Sequence, residues 1–224
     1  MKLFIVLFMA FGFMLCGCKE KSDAIKPKAE LPEQEILIEK PVSPVLIEMG
    51  KFADLVISDS ITANELFLFK EIDDNGVVET VDENEAINLY KKMMKRDAVK
   101  SYVIFEIENT DTAILVVQGL GFGGPIWARV LVDTKTLEIK KIAFEHKAES
   151  DGYGAAMTQT SFENQFVGTK IDLEKNTFTL QKNIEKRIDD GAFIDGISGA
   201  TMTSQGAIEM VNEGLKKYKG YLNP

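Results

Sequence analysis

The chain is poor in cysteine and histidine, with two cysteines and a single histidine, His146. Both cysteines, Cys16 and Cys18, lie near the N-terminus, so the chain after residue 18 contains none. That part of the protein can form no disulfide and can hold no Cys-ligated metal or iron–sulfur cluster. A lone histidine is more often a surface or hydrogen-bonded residue than a catalytic base. We therefore predict neither a metal site nor a catalytic residue.

Positive charge is also scarce. The chain has 26 Lys and Arg against 35 Asp and Glu, a formal net charge of −9. Nucleic-acid phosphates require a basic surface, so nucleic acid is excluded as a partner. Broad electrostatic adhesion to anionic lipid is disfavoured on the same ground. The acidity is consistent either with a basic redox partner or simply with solubility.

The N-terminal apolar run, residues 3–15, is too short to span a bilayer, which needs about 20 apolar residues, but it suits the apolar region of a signal peptide. It ends in Leu15-Cys16-Gly17-Cys18, which resembles a bacterial lipobox. The resemblance implies cleavage before Cys18 and diacylglycerol on its sulfur; a simple secretory signal is the alternative. We predict a lipoprotein signal peptide at residues 1–17. The protein would be lipid-anchored outside the cytoplasmic membrane or in the cell envelope, at the periplasm or cell surface.

Residues 18–44 are rich in Lys, Glu and Pro and predict a flexible tether. An exported domain follows at residues 45–222. Asn75-Gly76 predicts a hairpin with a type I′ turn, and Asp82 begins a predicted helix. The pattern predicts strands at 102–107, 113–117, 125–132, 137–144 and 177–180, and a short helix at 161–166. Short strands in hairpins with a few helices indicate an α+β fold with a largely antiparallel sheet.

The most informative stretch, residues 195–204, leads from an acidic residue through a small-residue turn into a helix. The apolar residues Ala207, Ile208, Val211 and Leu215 repeat at helical spacing. Thr203 and Ser204 are predicted as helix N-caps. The hydroxyl of Thr201 is thus presented just before a helix N-terminus, a location suited to a phosphate. By spacing alone, an ordinary loop followed by a capped helix remains open.

The string Asp195-x-x-Ser198-Gly199-Ala200-Thr201 closely resembles the flavinylation motif of the FMN-binding domain family. The resemblance covers about residues 110–218. It implies that Thr201 carries covalent FMN through a phosphoester bond made by a dedicated flavin transferase, with Asp195 and residues 198–200 as the recognition context. Family members in respiratory complexes usually have a membrane helix where this chain has its signal, which favours a free-standing anchored carrier.

Two further segments carry weaker parts of the resemblance. Residues 119–124 match the dinucleotide pattern G-x-G-x-x-G, but a predicted strand follows where that motif needs a helix, so we reject it. The family has a glycine-rich segment here, which implies that Gly121, Gly123 and Gly124 let the backbone pass close to the flavin. Phe122 and Trp127 are candidate neighbours of the ring, although core packing accounts equally well for Trp127.

The second segment, residues 146–154, resembles the family string His-x-Glu-Thr-Pro-Gly-Leu-Gly. This chain keeps His146, Glu149, Gly152 and Gly154 but differs at Ser150, Asp151 and Tyr153. The resemblance implies a loop near the flavin, with His146 and Glu149 among the cofactor contacts.

These observations favour a membrane-anchored electron-transfer flavoprotein that exchanges electrons with membrane or cell-surface redox proteins. One alternative is an extracytoplasmic flavin-dependent reductase of a small acceptor. Another is a lipoprotein that binds flavin or scaffolds partners without redox activity. The sequence favours a carrier over a stand-alone enzyme, because little chain is left for a substrate-binding domain.

Overall fold

A computed structural model describes residues 42–55, 63–95, 99–181 and 191–223, which all fall within one compact unit, Lys40–Pro224. The helices are α1 (Pro44–Phe52), α2 (Ala63–Leu66), α3 (Glu83–Lys95), α4 (Thr160–Glu163), α5 (Thr201–Lys216) and α6 (Lys219–Leu222), with a 3-10 helix at Gly154–Thr158. The strands are β1 (Phe67–Asp73), β2 (Val78–Thr80), β3 (Ser101–Ile107), β4 (Thr112–Leu120), β5 (Pro125–Asp133), β6 (Glu138–His146), β7 (Phe178–Gln181) and β8 (Ala192–Asp195).

Six strands form one antiparallel sheet in the order β2-β1-β3-β4-β5-β6. Strands β7 and β8 form a separate parallel pair. The predicted α+β fold with a largely antiparallel sheet is therefore confirmed, and the parallel pair is an addition that the sequence pattern did not indicate.

Each face of the sheet packs against different helices. On one face α5 packs against alternate residues of β4 and β5, such as Leu115, Ile126 and Ala128. On the other face α1 and α3 pack against residues such as Phe105 and Ile114. Because side chains alternate across a strand, each strand contributes to both clusters. The sheet thus separates the side that carries α5 from the side that carries α1.

Tyr218 ties the residues after α5 to the centre of the sheet. Its buried hydroxyl lies 2.7 Å from the carbonyl oxygen of Val116, to which it donates, and accepts from the Val116 N–H at 3.2 Å. Burial raises the pKa of this phenol, which keeps the hydroxyl protonated as a donor. The single hydroxyl therefore occupies both polar groups of one residue of β4.

Several local predictions are confirmed, with corrections at the turns. The hairpin at Asn75-Gly76 is present, but only Gly76 has a positive φ, +82°, so the type I′ turn is wrong. Asp73 stabilises a longer loop by accepting N–H bonds from Asn75 and Val77. Asp82 begins α3, exchanging bonds with Glu85.

The strand that follows the glycine-rich segment is β5, Pro125–Asp133, so the rejection of a dinucleotide fingerprint is confirmed. The predicted short helix at 161–166 is α4, continued by turns, with Phe162 and Phe166 buried. The predicted tether ends one residue late, because its last residue, Pro44, is the first residue of α1.

The predicted signal peptide, the acylated Cys18 and residues 18–41 of the predicted tether lie outside the described residues. Within the part of the chain that the structure describes, no helix has the length and apolar character required to cross a bilayer.

Candidate functional site

A small-residue turn, residues 195–200, delivers the chain into α5. The N–H of Ala200 donates to the carbonyl oxygen of Ile197 at 3.0 Å, and the N–H of Ile197 donates to the hydroxyl of Ser204 at 2.9 Å. Gly199 has φ +73°, a backbone conformation that favours glycine. The turn is therefore fixed by its own geometry and by a side chain of the helix it precedes.

The start of α5 differs from the prediction that Thr203 and Ser204 would be N-caps, which was wrong. The N-cap is Ala200 and the helix begins at Thr201. Ser204 lies inside the helix, where it bonds back to the turn, and Thr203 donates to Glu149. Among the described residues no side chain caps α5. The N–H groups of its first turn are therefore available to an external acceptor.

A cavity of about 380 Å³ opens at this helix N-terminus. Three of its lining residues are large apolar side chains that are mostly exposed: Phe122 at 74%, Tyr153 at 57% and Met202 at 66%. The hydroxyl-bearing Thr201 is also exposed and lines the cavity. Its remaining lining residues come from the same three segments and are Glu149, Ser150, Gly154, Gly199, Ala200 and Thr203. Exposed apolar groups gathered at one cavity indicate a binding site.

The glycine-rich segment lies against the loop that contains Glu149. A Cβ at Gly123 would stand 2.3 Å from the carbonyl oxygen of Ala148, and one at Gly121 would stand 2.3 Å from a carboxylate oxygen of Glu149. Gly124 has φ +138°. These glycines thus permit a close approach between two protein loops, which together form one side of the cavity.

Glu149 joins this wall to α5. Its side chain is buried, and its two carboxylate oxygens accept hydrogen bonds from the N–H of Gly123 and from the hydroxyl of Thr203, each at 2.7 Å. The backbone N–H of Glu149 donates to Nδ1 of the half-buried His146 at 3.2 Å. His146 therefore supports the loop that carries Glu149.

The remaining predicted residues lie apart from the cavity. Asp195 is exposed at the end of β8, and the side-chain amide of Gln165 accepts from its N–H at 2.6 Å and donates to its carbonyl at 3.3 Å. Ser198 is exposed in the turn but does not line the cavity. Trp127 lies on the face of the sheet opposite Ile126, the face that α1 covers.

The structure adds residues to the site that the sequence did not assign to it. Tyr153 and Met202 form parts of its rim, and a Cβ at Gly199 would stand 2.9 Å from the ring of Tyr153. Thr203 pairs with Glu149 although the two are 54 residues apart in the chain. Only the departure of Tyr153 from the family string drew notice to its position.

The residues present fit FMN on two counts. The apolar rim offers surface to a flat aromatic ring, and the uncapped N-terminus of α5 offers donors to a phosphate. The described residues contain no cluster of His, Cys, Asp and Glu that could hold a metal ion. The fold and the cavity thus define an α+β domain with a site for a planar, phosphate-bearing ligand.

Comparison with known proteins identifies the class more closely. Residues 121–216 match the family model of the FMN-binding domain. The chain therefore carries an FMN-binding domain.

The similar curated proteins are NqrC, one of the subunits of the Na(+)-translocating NADH-quinone reductase. That of Chlamydia caviae is 30% identical over 125 residues, 49% of this chain and 39% of the relative. That of Vibrio alginolyticus is 28% identical over 107 residues, 47% of this chain and 41% of the relative. The chain thus spans about two fifths of the length of these relatives.

Solved structures of NqrC share the fold. The structure from Parabacteroides distasonis has a TM-score of 0.62 at 26% identity and covers 80% of this chain and 92% of its own. NqrC of Shewanella oneidensis has a TM-score of 0.57 at 20% identity, covering 79% of this chain and 97% of its own.

Proposed function

We propose that this domain carries FMN in a phosphoester bond to Thr201 and transfers electrons to and from other redox proteins. The observation that carries the proposal is the position of Thr201, an exposed hydroxyl at the first residue of α5 beside a cavity with an apolar rim. When bound, FMN supplies the redox chemistry, and the protein binds and orients it.

Each part of the site has a role in this proposal. The hydroxyl oxygen of Thr201 bonds to phosphorus, and the N–H groups of the first turn of α5 donate to the remaining phosphate oxygens. Phe122, Tyr153 and Met202 contact the ring and exclude water from part of it. Asp195 and residues 198–200 stay outside the cavity, where a flavin transferase can reach them as the recognition context.

The electron-transfer role rests on the relatives, which are subunits of an NADH-quinone reductase. Because the chain spans only part of their length, its donor and acceptor are proposed by class alone, as membrane or cell-surface redox proteins. The location is proposed from the sequence: Cys18 carries the lipid anchor and the domain lies outside the cytoplasm. A covalent bond is useful there, because FMN lost from an exported protein is not readily replaced.

The alternative function, a flavin-dependent reductase of a small acceptor, requires an acid–base group free to act in the cavity. Both oxygens of Glu149 already accept hydrogen bonds from the protein, and Nδ1 of His146 accepts one from the backbone. These engagements favour the carrier. Saturable turnover of a small acceptor by the isolated flavinylated protein would favour the reductase instead.

The attachment is tested by co-expressing the full chain with a flavin transferase. Flavin fluorescence in a denaturing gel and the mass of the tryptic peptide are then measured. Thr201→Ala should abolish both the fluorescence and the added mass of FMN. Thr160→Ala is the matched control, because Thr160 is also an exposed threonine at the first residue of a helix. Fluorescence that survives Thr201→Ala, or an FMN mass on another peptide, would contradict the assignment.

A further inference from the structure

The carboxylate of Glu149 is a buried junction between three separate segments of the chain. Only 8% of the residue is exposed. One oxygen accepts from the N–H of Gly123 in the glycine-rich segment, and the other accepts from the hydroxyl of Thr203 in α5, each at 2.7 Å. Since both partners donate, the group is bonded as an ionised carboxylate, which only accepts.

The space around this side chain depends on two glycines. A Cβ at Gly121 would stand 2.3 Å from one carboxylate oxygen, and a Cβ at Gly154 would stand 2.1 Å from the other. Any larger residue at either position would displace the carboxylate. The surrounding backbone therefore holds Glu149 in one place at the edge of the cavity that Thr201 lines.

A fixed charge in this position has an electrostatic consequence for a bound flavin. Two electrons from a redox partner and one proton from water, added together to a flavin, make its charge more negative by one. A carboxylate nearby disfavours that change, and more strongly when both groups are shielded from water. Removal of the carboxylate charge should then make the flavin easier to reduce.

We propose that Glu149 is a positioning residue with two effects: it holds the glycine-rich segment and α5 together around the flavin, and its charge keeps the reduction potential of that flavin low. This inference rests on the proposed attachment of FMN to this domain. It extends it, because neither the motif nor the similarity to NqrC assigns a potential-setting role to any residue here.

The decisive variant is Glu149→Gln, made in the full chain and flavinylated by co-expression. The amide oxygen can still accept from Gly123, and the amide group can donate to the oxygen of Thr203, so the junction keeps its shape but loses its charge. We expect unchanged flavin stoichiometry, a melting temperature close to wild type for the flavin-free protein, and a shift of the midpoint potential in the positive direction. Asp151→Asn is the matched control, since it removes an exposed charge from the same loop and should shift the potential much less.

Thr203→Val separates the two effects. It removes one hydrogen bond and keeps the carboxylate, so it should lower the melting temperature and the yield of attached flavin without a positive shift of the potential. A potential unchanged in Glu149→Gln, or shifted equally by Asp151→Asn, would overturn the charge effect. A melting temperature and yield unchanged in Thr203→Val would overturn the positioning effect. Wild-type protein without FMN on Thr201 would instead refute the proposed function, which is established first by the fluorescent gel.

Discussion

Gly206 in α5 lies directly against the carbonyl group of Leu120 at the end of β4. A Cβ at residue 206 would stand 2.1 Å from that carbonyl oxygen. Further along the same helix, a Cβ at Gly214 would stand 2.6 Å from side-chain atoms of Val117. The two glycines allow α5 to lie close to β4, and the strand leads directly into the glycine-rich segment. The distance between Thr201 and that segment therefore depends on how closely the helix packs.

The first prediction follows from this contact. Gly206→Ala should destabilise the protein, because overpacking against backbone costs about 1–3 kcal/mol, which outweighs a gain in helix propensity of at most about 1 kcal/mol. The displaced helix should also reduce the yield of flavin attached at Thr201. Urea unfolding and gel fluorescence measure the two effects. Glu209→Ala, on the exposed face of α5, should change the stability by no more than about 0.5 kcal/mol. A stabilised Gly206→Ala variant would mean that the helix does not pack this closely.

The sequence predicted what is local in this fold. The alternation of apolar residues in β5 and the capping pair of Asp82 and Glu85 depend only on neighbours in the chain, and both are present. The cavity depends on contacts between distant segments, such as that of Glu149 with Thr203. No sequence pattern specifies such a contact. Spacing placed Thr203 correctly in α5 but gave it the wrong partner.

Trp127 illustrates the same limit from the other side. The alternation in β5 shows that Trp127 and Ile126 point to opposite faces of a sheet. It does not show which face α5 covers, because both faces of this sheet are packed by helices. Proximity in sequence to the glycine-rich segment therefore suggested a neighbour of the flavin, whereas the side chain lies on the face opposite the cavity.

A pH dependence is expected from Glu163. Its carboxylate accepts from the N–H of Phe144, on the outer strand β6, at 2.9 Å, and partial burial raises its pKa above the ordinary value. A carboxyl with a raised pKa in the folded state contributes stability below its unfolded pKa of about 4.3, and this contribution is lost as the pH rises through the folded value. Glu163→Gln should remove that loss. Its stability relative to wild type should therefore increase between pH 4 and pH 7, roughly the interval above the unfolded pKa.

The measurement for Glu163 is urea unfolding of both proteins across that pH range. Glu163→Ala serves as the control, because it removes the acceptor for the Phe144 N–H and should be less stable than Glu163→Gln at every pH. A constant difference between wild type and Glu163→Gln across the range would contradict the prediction.

The proposed anchor is tested at Cys18. Cys18→Ser should abolish acylation, because serine lacks the thiol that would carry the diacylglycerol. The protein should then leave the detergent phase or accumulate as the uncleaved precursor. Incorporation of a labelled fatty acid and detergent phase partitioning measure this. Cys16→Ser is the matched control, since Cys16 lies before the proposed cleavage point and its loss should leave acylation intact. Equal labelling of Cys18→Ser and wild type would refute the anchor.

The last prediction concerns the turn before Thr201, where two effects of one substitution can be separated. Gly199 has φ +73°, and a Cβ there would stand 2.9 Å from the ring of Tyr153. The left-handed conformation costs a non-glycine residue about 1–2 kcal/mol. The contact should cost little, because the ring of Tyr153 is 57% exposed and can move. Gly199→Ala should therefore lower the stability by about 1–2 kcal/mol and reduce flavin attachment at Thr201.

A double mutant shows which effect dominates. Tyr153→Ala removes the contacting ring but leaves the φ of residue 199 unchanged. Combined with Gly199→Ala, it should retain the whole penalty, with the two stability changes adding to within about 0.5 kcal/mol. Gly199→Asn should cost less than Gly199→Ala, since asparagine tolerates positive φ better. Recovery of wild-type stability in the double mutant would show instead that the ring contact, and not the backbone conformation, requires glycine at this position.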